Sequence, residues 1–428
     1  MSVDEGVVIL GAGLAGLGAA LSLDGARVYE AENHPGGHAY SRPLGEFHFD
    51  QGAHIVHSKA DWFLRTVQEN CKDIHVLSGS SVKNVWNGSF IGYPVQNHLA
   101  DLPLDMRTAA LSALVRANVD SVGSEPENYE EWVRSSYGSV LADEFYAVFT
   151  KKYWRRPMAS LGTDWLSGRL IPADLDNIVR GAMGADAQRQ DVFQEFRYPK
   201  HGGYFAFFAA AYDRIDVRYE RRAVELDPRE KTVAFEDGSS VGYEQLVSTI
   251  PLPRLVAITK DVPSDVRDAA DRLHHTKLLC VNFVVDRPQV TDNHWFYIYD
   301  EAVEAARVSV PSNLAGSSSS QSAVQAEVFR DHREEWNPDL IADSVAGSLQ
   351  DLLGFSSNDI TEFSWRTVSH AYVISDRDRA AAVACILEWL EGVSVYTAGL
   401  YGRWRYLWSD QAMASGINVA GLLKEKSS

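Results

Sequence analysis

Three glycines near the N-terminus have the spacing of a phosphate-binding loop. Gly11, Gly13 and Gly16 follow G-x-G-x-x-G directly after an apolar run. The first glycine permits a tight turn, the second lets a pyrophosphate approach the backbone, and the third lets a helix pack on the preceding strand. Glu30 follows 19 residues after Gly11, where a carboxylate can bind a ribose 2′-hydroxyl. The pattern predicts a dinucleotide site.

A second glycine pair decides which dinucleotide is expected. Gly36 and Gly37, followed by His38, come six residues after Glu30. Such a pair after the ribose carboxylate is typical of flavoproteins, because its backbone can pass close to an extended cofactor. Gly52-Ala53 gives a further approach by small residues. These motifs predict FAD rather than NAD.

The elements that must position these residues begin with a β-α-β unit. Val7 to Leu10 and Arg27 to Glu30 are predicted strands, and a helix is predicted between them. Residues from about 105 to about 190 have helical patterns, whereas the regions from about 215 to 250 and from about 277 to 300 have strand patterns. Val393 to Ala398 is a predicted late strand, and Asp410 to Lys424 a last helix. Because the first and last segments both fit a nucleotide-binding lobe, we expect interleaved lobes.

The predicted fold class is α/β, with a Rossmann-type FAD-binding domain interleaved with a helical domain and a β-sheet substrate domain. We expect the FAD-binding domain to comprise residues 1–58, about 205–250 and 390–428. The helical domain is expected at about 100–195, and the discontinuous substrate domain at about 59–99 and 251–389. The polar segment from Ile171 to Glu195 is a predicted mobile lid, with Gly181 and Gly184 as hinges.

Composition excludes several function classes. A net charge of −18 argues against nucleic-acid binding, which needs a surplus of Lys and Arg. The three cysteines have no metal-ligand or disulfide spacing, and no metal site is predicted. Acidic residues precede the first apolar run, and no stretch is long and apolar enough to span a membrane. We therefore expect a cytoplasmic location.

Several segments resemble, in the same order, the UDP-galactopyranose mutases, a family of flavin-dependent enzymes. The resemblance covers nearly the whole chain and includes features of the eukaryotic branch. It rests on Gly52 to His57, Gly92 to Asn97, Phe149 to Trp154, Trp165 to Arg169, Phe196 to Gly203, Leu246 to Thr249, Trp295 to Tyr297 with Arg307, and Gly399 to Gln411.

The resemblance implies a chemistry and assigns residues to it. Reduced flavin N5 attacks the anomeric carbon of a UDP-hexose and expels the diphosphate, which later returns to the rearranged sugar. The implied catalytic residues are His54, Arg169, Arg307 and Tyr406. The motifs and the resemblance together assign these residues to FAD: Gly11, Gly13, Gly16, Glu30, Gly36, Gly37, His38, Gly52, Ala53, Gly399, Tyr406, Asp410 and Gln411. The predicted substrate-binding residues are Tyr93, Gln96, Asn97, Phe149, Trp154, Arg169, Arg180, Trp295, Tyr297, Arg307, Tyr372 and Tyr406.

Two departures from the family pattern keep alternatives open. Leu400 stands where the family has an arginine, and Arg403 is the nearest replacement in sequence. Phe149 stands where the bacterial members have a tyrosine, so that stacking is retained without the hydroxyl. The alternatives are a mutase for another nucleotide sugar, an oxidoreductase of the amine or protoporphyrinogen oxidase type, and a non-enzymatic flavin-binding protein. NADPH or NADH is the expected reductant.

Overall fold

A five-stranded parallel sheet carries the glycine loop. The structure, a computed structural model, describes residues 3–4, 6–120, 125–166, 168–170, 173–185 and 195–427. The sheet runs in the order Asp216–Arg218, Arg27–Tyr29, Val7–Leu10, Gln245–Ser248 and Val395–Thr397. Its central strands are apolar because helices cover both faces of such a sheet. The interleaving of distant chain segments, which the sequence predicts, is confirmed.

Two helices pack closely beside this sheet. They are Leu14–Ser22 and Ser409–Ser427. A Cβ on Gly416 would lie 1.9 Å from the Ala15 carbonyl oxygen, and one on Gly18 would lie 2.3 Å from the Met413 carbonyl oxygen. The two helices can therefore approach only because both positions are glycine, and the last helix fixes the first at the glycine loop.

A four-stranded sheet adjoins the parallel sheet. It comprises Val3–Asp4, Ser240–Gly242, Thr232–Phe235 and Ala223–Asp227 in that order. The turn at Gly238 joins the antiparallel strands Thr232–Phe235 and Ser240–Gly242 into a hairpin. Three helices contribute to the same hydrophobic core: Leu252–Ile258, Ser264–Asp271 and Arg379–Gly392.

A seven-stranded sheet is the largest sheet in the described part of the chain. Its order is Ile360–Val368, Thr276–Val285, Ser322–Asp331, Arg307–Ser309, Trp295–Ile298, Val82–Trp86 and Ser89–Gly92. All neighbours are antiparallel except Trp295–Ile298 and Val82–Trp86, which are parallel. The helix Pro338–Leu353 contacts this sheet. Two short antiparallel pairs complete the strands: Arg42–Leu44 with Phe47–Phe49, and Ile74–Ser78 with Glu195–Pro199.

The helical region departs from the sequence prediction at one place. The helical pattern there predicts no interruption, but the chain forms Tyr129–Leu141, a π-helix at Ala142–Ala147, and Val148–Tyr153. Gly138 breaks the first of these with φ 81° and ψ 163°. A Cβ there would lie 2.6 Å from the backbone of the neighbouring helix Leu104–Asp120. Close helix packing at Gly138 therefore explains the kink.

The remaining elements are short. The helices are Asp61–Asn70, Leu175–Ala182, Ala209–Tyr212, Pro311–Ala315 and Gly399–Gly402. Leu175–Ala182 lies within the predicted lid, but residues 171–172 and 186–194 of that segment are outside the described residues. Among the helices described, none has the length and apolar character needed to cross a bilayer. The proposed domain boundaries stay a prediction.

Candidate functional site

One cavity of about 550 Å³ extends from the glycine loop to the seven-stranded sheet. It begins at the carboxyl ends of the parallel strands, where ligands bind in folds of this kind. Many residues assigned from the sequence line it together: Gly11, Gly13, Glu30, Gly36, Gly37, His38, Ala53, His54, Trp295, Tyr297, Arg307, Tyr372, Gly399 and Tyr406.

The glycine-loop end of the cavity fits a pyrophosphate. The helix Leu14–Ser22 has Gly13 as its N-cap, and no side chain caps it. A Cβ on Gly13 would meet nothing within 4 Å, because the position opens into the cavity. Gly36 donates its N–H to the Ala12 carbonyl at 2.8 Å and holds the second glycine pair beside the first. Uncapped N–H groups at a helix start favour an anion.

Glu30 organises the nucleotide end. Its carboxylate is buried and accepts hydrogen bonds from Ala12 N at 2.7 Å and Glu32 N at 2.9 Å. Each carboxylate oxygen has a second lone pair, so these bonds leave acceptor capacity for a ribose hydroxyl. The residues present therefore fit the adenosine diphosphate portion of FAD.

The segment that follows the strand Phe47–Phe49 is held by a buried carboxylate. Asp50 accepts from Ser41 Oγ at 2.6 Å, Tyr198 OH at 2.8 Å and Tyr204 N at 2.9 Å. Burial raises the pKa of Asp50. Two residues on, the carbonyl oxygen of Gly52 lies 2.9 Å from Nδ1 of His54. The imidazole of His54 thus packs against its own loop while lining the cavity.

Arg307 lies at the opposite end from the glycine loop, in an ion pair with Glu327. Nε donates to Oε1 at 2.7 Å and Nη2 donates to Oε2 at 2.6 Å. Glu327 is completely buried and also accepts from Ala53 N at 3.0 Å. Burial lowers the pKa of Arg307, but the carboxylate outweighs it, so the pKa is raised well above its ordinary value. Nη1 is not used by Glu327 and can bind a ligand.

Three tyrosines lie around this ion pair, and we call Tyr297, Tyr372 and Tyr406 the tyrosine wall. All three line the cavity, and the Tyr372 and Tyr406 rings are 5.4 Å apart. Tyr153 donates its hydroxyl to that of Tyr372 at 2.6 Å. Burial raises the pKa of Tyr406 and of Tyr297. Their hydroxyls therefore stay protonated at neutral pH and can donate to phosphate oxygens.

Arg169 is close to the site but is not part of the cavity lining. Its guanidinium carbon lies 4.2 Å from the Tyr406 ring centroid and 4.9 Å from that of Trp408. Nη1 donates to the Trp165 carbonyl at 3.1 Å, and Nη2 to the Tyr406 carbonyl at 3.0 Å. These contacts hold the cation behind the tyrosine wall, so direct substrate contact by Arg169 stays a prediction.

The other assigned substrate residues also lie outside the cavity lining: Tyr93, Gln96, Asn97, Phe149, Trp154 and Arg180. Tyr93 and Phe149 nevertheless contact the Tyr297 ring, at centroid distances of 5.4 and 5.5 Å. Gln96 is buried and accepts from Tyr146 OH at 3.2 Å. Arg180 is exposed on its helix. The structure therefore places an aromatic cluster next to the tyrosine wall, and Arg180 away from it.

Four assigned cofactor residues are behind the lining: Gly16, Gly52, Asp410 and Gln411. Asp410 accepts from Ser58 Oγ at 2.5 Å, and Gln411 accepts from Trp408 N at 3.0 Å. These bonds position the start of the last helix, whose Ser409 and Ala412 line the cavity. Asp410 and Gln411 therefore act on the site by holding the start of this helix in place, and their side chains do not line the cavity.

Leu400 lines the cavity, and Arg403 does not take its place. Arg403 is partly exposed, with Nη1 3.8 Å from Glu391 Oε1, and it is absent from the cavity lining. Among the described residues that line the cavity near the tyrosine wall, Arg307 therefore supplies the positive charge. The distant end has further arginines: Arg221, Arg222 and Arg254.

Sequence reasoning missed several residues of the lining. Glu327 is the most important, and its signal was a single carboxylate within the mostly apolar segment from Ala323 to Phe329. The Tyr401 hydroxyl lies 2.8 Å from both the His370 and the Ala371 carbonyl oxygens, shares its one proton between them, and fixes that part of the lining. Nothing in the sequence marks this contact. In the described part of the chain, no group of His, Cys, Asp or Glu is arranged to hold a metal ion.

Four histidines form a cluster that we call the histidine stack, and one of them, His370, lines the cavity. The His370 and His275 ring centroids are 4.1 Å apart, and those of His275 and His332 are 4.4 Å apart. His274 lies 5.6 Å from His332. Burial lowers the pKa of His275 to about 3 and that of His370 to about 4, and the neighbouring histidines add to both shifts. The stack is therefore neutral in the folded protein at neutral pH.

We expect this histidine stack to make the protein sensitive to mild acid. Between pH 6.5 and about 4 the unfolded chain binds protons that the folded stack excludes, so stability is lost as the pH falls. Each such histidine contributes up to about 1.4 kcal/mol per pH unit in that window. The free energy of unfolding, measured with urea at several pH values, should fall less steeply with decreasing pH for His275→Gln than for the parent. The exposed His201→Gln is the control, and equal slopes for both variants would refute the prediction.

Comparisons with known proteins agree on the fold. The family model for flavin containing amine oxidoreductases matches residues 14–423. A crystal structure of reduced UDP-galactopyranose mutase superposes with a TM-score of 0.91 at 23% identity, covering 98% of this chain and 94% of that one. A putative protoporphyrinogen oxidase from Exiguobacterium sp. 255-15 gives 0.75 at 15% identity, covering 100% and 99%. A double mutant of putrescine oxidase gives 0.63 at 14%, covering 99% and 100%.

Proposed function

We propose that this chain, which belongs to the flavin containing amine oxidoreductase family and whose cofactor is FAD, is a nucleotide-sugar mutase. The proposed enzyme is active with reduced FAD. The proposed reaction interconverts pyranose and furanose forms, with UDP-galactopyranose and UDP-galactofuranose as the substrate pair. The similarity to a reduced UDP-galactopyranose mutase supports the proposal. We also propose NADPH or NADH as the reductant, and the cytoplasm as the location.

The observation that carries the proposal is the pairing of Arg307 with hydroxyl donors inside one cavity. Arg307 offers Nη1 beside the tyrosine wall. Opening a pyranose attached to a nucleotide requires a leaving diphosphate of charge about −2 to be held near the site of cleavage. A planar guanidinium with several neutral O–H donors suits this task.

The chain's own groups divide the work. Arg307 and the tyrosine wall would hold the diphosphate and stabilise its developing charge. Glu327 fixes the guanidinium through two bonds and also binds Ala53 N, so that the sugar-binding end and the flavin-binding loop keep one geometry. Reduced FAD, when bound, supplies the electron-rich nitrogen that displaces the diphosphate from the anomeric carbon.

The uridine subsite is proposed at the aromatic cluster beside the tyrosine wall. Tyr93 and Phe149 both contact Tyr297 and can present a face to a base. Gln96 accepts from Tyr146 through Oε1, so its amide N–H₂ is available to a base edge. For a base to enter, the contacts of Tyr93 and Phe149 with Tyr297 must open. The helix Leu175–Ala182 contacts Val95–Asn97 beside this cluster and is placed to follow that movement.

A second candidate is an FAD-dependent oxidoreductase. Glu327 neutralises the formal charge of Arg307, and the surrounding lining is aromatic, which suits an apolar or amine substrate. The family and the two oxidase structures are consistent with this alternative. The two candidates are distinguished by their substrates, because only the mutase requires a substrate that carries a nucleoside diphosphate.

The two candidates differ in product and in redox requirement. The protein is reduced with dithionite, incubated with UDP-galactofuranose without oxygen, and the nucleotide sugars are separated by anion exchange. The mutase proposal expects UDP-galactopyranose from reduced protein and none from oxidised protein. Peroxide release with an amine or a porphyrinogen in air, together with unchanged UDP-galactofuranose, would favour the oxidoreductase.

Arg307→Lys tests the proposed diphosphate contact. Lysine keeps the positive charge opposite Glu327 but loses the planar fork, so the fold should persist. We expect kcat/KM of the reduced enzyme to fall about 10- to 100-fold, with weaker UDP binding in a competition assay. Arg403→Lys, on a half-exposed arginine outside the lining, is the matched control. Unchanged UDP affinity for Arg307→Lys would remove this residue from the site.

A further inference from the structure

The seven-stranded sheet has an exposed outer strand, Ile360–Val368, which we call the edge strand. It pairs only with Thr276–Val285 among the strands that the structure describes. Phe363 is 41% exposed and Trp365 is 36% exposed. An unpaired edge offers a row of backbone donors and acceptors to another strand, and proteins usually protect it with lysine or proline. The edge strand contains neither, and its β-bulge is confined to its start, at Thr361.

The sequence of the edge strand is nearly symmetric about Ser364. Residues at equal distances on either side are chemically matched. The matched pairs are Phe363 with Trp365, Glu362 with Arg366, Thr361 with Thr367, and Ile360 with Val368. If two copies pair antiparallel about a two-fold axis at Ser364, each residue from Glu362 to Arg366 lies opposite its match, with both side chains on the same face. The β-bulge at Thr361 interrupts this register only at the start of the strand. Aromatic rings then face aromatic rings, and carboxylates face guanidinium groups.

The charges on the edge strand support pairing with a second copy. Arg366 is partly buried, and its pKa is lowered by burial and then by the nearby Arg42. No ion pair joins Arg366 or Glu362 to any other part of the chain that the structure describes. Glu362 and Arg366 are four positions apart on one extended strand, roughly 13 Å, too far to pair with each other. Glu32 attracts Arg366 without forming an ion pair, and a second copy would supply a directly paired partner to both residues.

We propose that the edge strand binds the edge strand of a second copy of this chain, antiparallel and centred on Ser364. The two seven-stranded sheets then become one continuous sheet. Leu340, 67% exposed, adds apolar surface nearby, since the adjacent Asp339 accepts from Trp365 Nε1 at 3.1 Å. The edge strand also continues into Val368 to His370 of the cavity lining, so pairing would steady that lining. The proposal holds for either candidate reaction.

Charge reversal tests both the partner and the register. In sedimentation velocity, the FAD-bound full chain should be a dimer. Glu362→Arg alone and Arg366→Glu alone each place like charges opposite each other twice, and should weaken dimerisation at least about tenfold. An equimolar mixture of these two variants restores opposite charges at both positions and should dimerise again. Glu230→Arg, on an exposed turn away from the edge strand, should behave as the parent.

Several outcomes of that experiment would overturn the proposal. They are a monomeric parent across the micromolar range, dimers of both single variants as tight as the parent dimer, or a mixture that stays monomeric. Flavin absorbance and circular dichroism confirm that each variant is folded. These readouts separate loss of pairing from loss of structure.

A cysteine on the proposed axis gives an independent test. Directly opposite residues in antiparallel strands have Cα atoms about 4.5–5.5 Å apart, within the range of a disulfide. Ser364→Cys should therefore form a covalent dimer on mild oxidation. Thr361→Cys should not, because its counterpart lies six residues along the strand, roughly 20 Å away. The parent chain gives the background from its three cysteines. Equal cross-linking of both variants, or none of Ser364→Cys, contradicts the proposed pairing.

Discussion

Glu327→Ala is expected to lower the free energy of unfolding by about 3–5 kcal/mol, because it leaves a buried guanidinium without its carboxylate. Glu327 is completely buried, and the side chain of Arg307 is only 12% exposed. The substitution also removes the acceptor of Ala53 N. Urea unfolding at neutral pH, followed by intrinsic fluorescence, measures the loss. The variant should also bind FAD more weakly, since the loop at Ala53 is no longer held.

Two further variants show whether burial causes this effect. Glu225 pairs with Lys260 on the surface, and both are nearly half exposed, so Glu225→Ala should cost less than about 1 kcal/mol. A double replacement of Glu327 and Arg307 by leucine removes both charges and should recover much of the lost stability. If Glu327→Ala costs no more than Glu225→Ala, the ion pair does not have the importance we assign to it.

Gly16→Ala should abolish stoichiometric FAD binding. A Cβ on Gly16 would lie 2.0 Å from the Gly11 carbonyl oxygen, so the helix Leu14–Ser22 would have to move off its strand. That movement displaces the N–H groups that face the cavity at Gly13. The measurement is the ratio of flavin to protein absorbance after gel filtration of the purified variant.

The matched control is Gly421→Ala in the last helix. There an added Cβ meets nothing within 4 Å, and alanine is the better helix former. This control should retain one FAD per chain and the stability of the parent. Full flavin occupancy in Gly16→Ala would show that the close approach of helix and strand is not needed for the cofactor.

The β-α-β unit could be predicted from sequence because its determinants are local. Apolar runs, glycine spacing and Glu30 all lie within a short stretch, and each has one physical purpose. The strands Val7–Leu10 and Arg27–Tyr29 agree with the prediction to within one residue. The resemblance to the UDP-galactopyranose mutases, carried by ordered motifs, likewise agrees with the fold comparison.

The arrangement around Arg307 could not be predicted in the same way. Its partner Glu327 lies opposite it on an adjacent antiparallel strand, and sequence does not specify that register. The sequence likewise assigns Arg169 to the substrate but gives no sign that it stacks against Tyr406 and Trp408. Such contacts depend on which distant segments meet, not on local pattern.

Backbone geometry sets a second limit on the prediction. Gly138 lies within a sequence with a continuous helical pattern, but close packing against the neighbouring helix selects a conformation that only glycine adopts easily. Similarly, the neutral state of the histidine stack follows from burial, and then from the proximity of rings from three separate segments. Neither arrangement is visible in the sequence, because each joins segments that are separated along the chain.

Cleavage of the anomeric carbon–oxygen bond, without loss of the nucleotide, is the event on which the account depends. Positional isotope exchange measures it directly: UDP-galactose carrying ¹⁸O in the bridge between sugar and diphosphate is incubated with the reduced protein and examined by ³¹P NMR. We predict that the label moves into non-bridging β-phosphate positions with reduced protein and stays in the bridge with oxidised protein. Retention of the label in the bridge by reduced, FAD-bound protein that binds UDP would contradict the proposed reaction.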